Sequence, residues 1–127
     1  MPDAFPRVDL LQQPTPLEHM ARIGTHAGHQ QLWVKRDDCM PLAFGGNKVR
    51  SLEFWLGEAL ERGCDILVIA GEPASNQCRL TAAAAAKVGL ECLVLYAGTD
   101  PLPPHGNLLL TKMMGAQIRI LGPLGEE

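Results

Sequence analysis

The apolar positions along this chain change period several times, and each change marks an element. Between Lys48 and Arg62, residues Leu52, Trp55, Leu56, Ala59 and Leu60 recur at three- and four-residue steps, which predicts a helix with one core-facing stripe. Glu53, Glu58, Glu61 and Arg62 fall on its other face, and Gly63 is a natural stop. Ile66 to Ala70 is wholly apolar and largely β-branched; the missing polar alternation predicts a parallel strand covered on both faces. A second helix is predicted from Asn76 to Val88, where Ala82 to Ala86 form a thin face suited to close packing on a sheet, and Gly89 ends it. Leu90 to Ala97 reads as a second buried strand. Asn107 to Met114 reads as a third helix, capped by Asn107 and stopped by Gly115, and Ala116 to Leu121 as a third strand. This alternation predicts an α/β fold: an open parallel sheet with flanking helices and right-handed crossovers.

Upstream the pattern is punctuated by Pro6, Pro14, Pro16, Gly24 and Gly28. Pro16 to Ile23 is predicted as a short helix, with Thr15 as its cap and Pro16 at its first position. Leu32 to Arg36 reads as a strand ended by Asp37-Asp38, and Cys39 to Asn47 as a loop closed by Gly45-Gly46. Gly71 to Ala74, Gly98 to His105 and Gly122-Pro123-Leu124-Gly125 carry loop signals.

Composition narrows the function classes. The chain has 127 residues, 46% of them hydrophobic, and a net charge of −3 without a basic block, which argues against nucleic acid or an anionic membrane as partner. Its apolar runs are too short to span a bilayer. The segment from Met1 to Pro6 lacks the basic and apolar regions of a secretory signal. Cys39, Cys64, Cys78 and Cys92 form no Cys-x-x-Cys and read as reduced thiols of a cytoplasmic protein. His19, His26, His29 and His105 are not spaced with them as zinc ligands, so no metal site is expected.

Two places carry candidate chemistry. Lys48 follows Phe44-Gly45-Gly46-Asn47 at the mouth of the first long helix. A cation there opposes the helix dipole by about 0.3–1 kcal/mol, so structure alone gives little reason for it. A neutral amine at that end, on a loop that two glycines bring close to a flat ring, suits Schiff-base chemistry. Ser75-Asn76-Gln77 opens the next helix, directly after a strand. Capping alone accounts for Ser75; the position adds free amides and a positive helix end where α/β sheets bind ligands, suited to a carboxylate. Glu72 in the same loop works against an anion. Cys78, one turn inside, reads as a packed, inert cysteine rather than a helix-stabilised thiolate. Neither nucleotide-binding glycine motif is present.

Phe5-Pro6-Arg7, Pro14-Thr15-Pro16-Leu17-Glu18, Val34-Lys35-Arg36-Asp37-Asp38, Leu42 to Arg50, Leu52-Glu53-Phe54, Ser75-Asn76-Gln77 and Gly106-Asn107 occur in an order that resembles one family. The chain is similar throughout to the D-cysteine desulfhydrase / 1-aminocyclopropane-1-carboxylate (ACC) deaminase family of fold-type II enzymes dependent on pyridoxal phosphate (PLP). That resemblance implies Lys48 as Schiff-base lysine and proton-transfer base. It implies Asn76 as donor to the phenolic oxygen of the cofactor, and Ser75 with the backbone at Gln77 as carboxylate-binding groups, Ser75 also relaying a proton. The substrate is then a small amino acid: D-cysteine, giving pyruvate, sulfide and ammonia, or ACC, opened to 2-oxobutyrate and ammonia. Glu72-Pro73-Ala74 departs from the Gly-Ile-Gln or Ala-Ile-Gln type segment common in the family. Family chains are much longer, with a glycine-rich phosphate loop, a group facing the pyridine nitrogen and active-site tyrosines that this sequence does not contain; Tyr96 falls in a predicted strand. The chain therefore reads as a truncated N-terminal portion. Residues 1–50 belong to the large PLP domain and carry the lysine loop, 51–127 form an incomplete small α/β domain, and the full-length form is a homodimer. A non-catalytic remnant is the alternative.

Overall fold

The computed structural model describes residues 5–98 and 103–122. The chain runs β1 (Leu17–His19), α1 (Ala21–His26), β2 (Trp33–Lys35), α2 (Lys48–Glu61), β3 (Ile66–Gly71), α3 (Asn76–Val88), β4 (Glu91–Tyr96), α4 (Gly106–Met113) and β5 (Gln117–Ile120), with single 3-10 turns at Asp37–Cys39 and Leu42–Phe44. The three apolar runs form one parallel sheet in the order β3-β4-β5, with Ile66 opposite Glu91 and Leu93 opposite Gln117. The expected α/β alternation and parallel sheet are thus present. Parts of two expected loops, residues 99–102 and Pro123 to Gly125, lie outside the described residues, as does Met1 to Ala4.

Strand partners in register share a face, so Leu67 and Ile69 line up with Cys92, Val94, Tyr96, Ile118 and Ile120. That face packs on Cys78, Ala82 and Ala85 of α3 and Leu108 of α4. Helix α3 is buried on its other side too, where Leu80 and Ala84 meet Val49, Leu52 and Leu56 of α2 together with Leu10 and Met40. The alanine run works as expected: small side chains let one helix be sandwiched between a sheet and a second helix. The opposite sheet face corrects the expectation for β3. Val68 is 59% exposed, and Leu93 and Leu95 are only half-buried, so among the described residues the sheet is covered on one face.

Two other expectations are overturned. Pro16 to Ile23 is not one helix. Leu17–His19 pairs antiparallel with Trp33–Lys35 in a separate two-stranded ribbon, and the helix begins only at Ala21. Thr15 caps nothing; its hydroxyl accepts from Arg50 Nη2 at 3.1 Å and donates to Asp37 Oδ1 at 3.4 Å. Pairing with a distant strand outweighed a local start signal. Glu53, assigned by periodicity to the solvent face of α2, is 1% exposed. The segment from Pro6 to Leu11 lies across that face. Glu53 accepts from the amides of Leu10 (2.9 Å) and Leu11 (3.0 Å) and pairs with Arg7 at 2.6 Å. Gly57 permits the crossing, since a Cβ there would stand 2.3 Å from the Pro6 carbonyl.

Candidate active site

Lys48 is the first residue of α2 and is half-buried. The loop before it is unusual. Ala43, Phe44, Gly45 and Gly46 all have positive φ, at 43°, 68°, 70° and 132°. For Ala43 and Phe44 that conformation costs on the order of 1 kcal/mol or more each, so it persists only where the surroundings hold it. Two holds are visible. On one side the Gly46 amide donates to the Asp37 carbonyl at 2.9 Å, and the Asp37 carboxylate receives Arg50 from the first turn of α2 at 2.6 and 3.0 Å. The Arg50 guanidinium keeps that carboxyl below its usual range. On the other side Arg79, one turn inside α3, donates to the carbonyls of Ala43 and of Gly45, the latter at 3.1 Å. Gly45 is required by packing, and Gly46 is favoured by its φ of 132°. A Cβ on Gly45 would lie 2.4 Å from the Asp38 carbonyl oxygen, and one on Gly46 3.3 Å from Leu80.

Ser75 has extended backbone and caps α3, its Oγ accepting from the Cys78 amide at 3.3 Å. With Oγ used as acceptor toward the helix, its proton remains available to donate. The amides of Asn76 and Gln77 have no carbonyl one turn back and add to the positive helix end. Asn76 is exposed, but its Oδ1 accepts from Arg79 Nη2 at 3.3 Å and from Asn107 Nδ2 at 3.0 Å. Its Nδ2 is therefore the end left for a ligand. Hydroxyl, carboxamide and amides all offer donors, and Arg79 ties their helix to the loop that leads into Lys48. A donor set of this kind fits a cofactor with an ionised ring oxygen and a substrate carboxylate.

Neither Arg79 nor Asn107 is marked as a site residue by the sequence pattern. Asn107 is the expected cap of α4. Instead His105 occupies the cap position, and Asn107 sits inside the helix, reaching across to the Ala74 carbonyl (2.6 Å) and Asn76. The signal that could have found Arg79 is its place three residues beyond Asn76, in a helix otherwise rich in small residues. Cys78 is buried, and desolvation pushes its thiol up, which removes the thiolate reading. Tyr96 is fully buried in β4, donating to Thr111 at 3.4 Å. Among the described residues no cysteine is paired, no group of three or more His, Cys, Asp or Glu is gathered as metal ligands would be, and no helix is long and apolar enough to cross a membrane.

Comparison with known proteins bears on the same elements. The chain is 43% identical over 125 residues to D-cysteine desulfhydrases of Klebsiella pneumoniae (strain 342) and Salmonella paratyphi B. The alignments take in 94% of this chain and 38% of each relative, so the chain spans well under half the length of these curated relatives. Its fold matches the crystal structure of an ACC deaminase homologue with a TM-score of 0.86 and 39% identity, over 93% of this chain and 35% of the other. The ribbon, the lysine loop and the capped helix all fall within residues 8–126, which match the sequence profile described as pyridoxal-phosphate dependent enzyme, and the chain belongs to that family.

Proposed function

We propose that this chain supplies the lysine side of a PLP-dependent lyase acting on D-cysteine, converting it with water to pyruvate, sulfide and ammonia. The observation that carries the reading is the tie made by Arg79 between the Lys48 loop and Asn76, in a chain 43% identical to D-cysteine desulfhydrases. When bound, PLP supplies an electron sink for charge that develops at the substrate Cα. Lys48 would hold the cofactor through its Nζ, and its amine is the base for the substrate Cα proton. Asn76 Nδ2 would donate to the phenolic oxygen of the cofactor and so orient its ring. The Ser75 hydroxyl and the Gln77 amide receive the substrate carboxylate at the positive end of α3, and Ser75 can pass on a proton.

In this reading residues 1–50 belong to the larger cofactor domain and 51–127 to the smaller one, and the full-length form is a cytoplasmic homodimer. The likeness to the ACC deaminase homologue supports a second reading, ring opening of ACC at the same residues. The visible spectrum with PLP, followed by borohydride reduction and peptide mass mapping, tests both. One reduced adduct on Lys48 is expected, with complete loss in Lys48→Ala; D-cysteine and ACC are then compared as substrates. An adduct that persists in Lys48→Ala sinks the lysine assignment. A chain that takes up no cofactor is the outcome for a non-catalytic remnant.

A further inference from the structure

Arg79 is only 5% exposed, yet among the described residues no carboxylate pairs with it. Its partners are three neutral oxygens, from Ala43, Gly45 and Asn76, and its Nε has none. Desolvation lowers its pKa, the mark of a cation held where a neutral side chain would pack more cheaply. The three oxygens belong to the two halves of the site. Asn107 completes the arrangement, because its Nδ2 reaches both the Ala74 carbonyl and Asn76 Oδ1.

We propose that Arg79 and Asn107 are positioning residues that fix which end of the Asn76 carboxamide faces outward, Arg79 also locking that carboxamide to the loop that carries Lys48. The proposal rests on the reading of Lys48 and Asn76 as cofactor residues. The two ends of a carboxamide are nearly equal in size, so only its neighbours decide its polarity. A backbone carbonyl is acceptor only. The Ala74 oxygen, 2.6 Å away, therefore requires Asn107 to present Nδ2. That same nitrogen, 3.0 Å from Asn76, requires an acceptor there, and the donor-only guanidinium of Arg79 requires the same. Nδ2 of Asn76 must then point out. Turned over, the side chain would set Oδ1 against an ionised ring oxygen, and two acceptors repel.

The test uses the isotope-labelled 127-residue chain without cofactor and its Asn107→Asp variant. An aspartate in the first turn of α4 suits the helix dipole, so the fold is retained. The carboxylate sets acceptors against Ala74 and Asn76 Oδ1, and Asn76 gives up its 3.3 Å bond to Arg79 and turns. By NMR, the Nδ2 protons of Asn76 exchange freely with solvent in the wild type and about tenfold more slowly in the variant. Backbone amide shifts of α3 stay in place. An Asn76 exchange rate that is equal in the two chains, or protection already present in the wild type, overturns the proposal. Borohydride-trapped PLP on Lys48 is measured in parallel, with a loss of about tenfold in apparent affinity expected for Asn107→Asp. Wild type that traps no cofactor, while the exchange switch is still seen, sinks the functional reading and supports the positioning role.

Discussion

The loop before α2 and the turn before α3 both deliver a candidate site residue to the start of a helix, by opposite means. The turn before α3 is local. The Ser75 amide donates to the Glu72 carbonyl at 2.9 Å, Ser75 Oγ caps the Cys78 amide, and the backbone at Ser75 is ordinary extended chain. The loop before α2 has no side-chain cap at Asn47 and four successive residues at positive φ. It is held by Asp37 from one side and by Arg79 from the other. An N-cap needs no distant partner. A left-handed run of this length is unfavourable by itself, so Lys48 is presented by tertiary structure while Ser75 is presented by sequence.

Substitutions that strike one side and spare the other sharpen this contrast. Gly45→Ala has the largest expected effect. It adds a Cβ 2.4 Å from a backbone oxygen at φ 70°, so about 3 kcal/mol of stability is lost in urea unfolding. Gly89→Ala, at φ 79° with nothing within 4 Å, costs only about 1 kcal/mol. Equal losses at the two glycines would mean that backbone conformation alone, not the enclosed loop, sets the cost.

Asp37→Asn comes next, at about 1–2 kcal/mol near neutral pH, because a charged bond to the half-exposed Arg50 is lost. The folded state holds the Asp37 carboxyl below its ordinary value, so its contribution is full above the unfolded carboxyl range and disappears as pH falls through the folded value. Unfolding curves of Asp37→Asn and wild type should therefore converge in acid. A gap that stays constant with pH would show that the bond to Arg50 is not its source. Ser75→Ala has the smallest effect, about 1 kcal/mol from the lost cap. Amide shifts of residues 43–48 should stay in place, and their movement would show that the two sides are not independent.

Elements whose signals lie within a few residues of one another are legible in the chain itself. Helix α3 runs from Asn76 to Val88 as the sequence predicts, and the three parallel strands fall within one or two residues of their expected bounds. Hydrophobic period and glycine stops are local signals, so they survive without tertiary context. Lys48 and Ser75 stand out for the same reason: each breaks or satisfies a rule at its own helix end. Three features are decided elsewhere in the chain. Leu17–His19 is a strand because Trp33–Lys35 is there to pair with it. Glu53 is buried because the amides of Leu10 and Leu11 come across its face. Asn107 and Arg79 leave capping and solvent for Asn76, Ala43 and Gly45, partners 31 to 36 positions away for all but one of these bonds. The sequence alone determined the three longer helices and most of the strands, because their energies are local. Only the tertiary structure decided how Lys48 and the polarity of Asn76 are held, because a strained loop and a symmetric carboxamide take their direction from partners that folding brings to them.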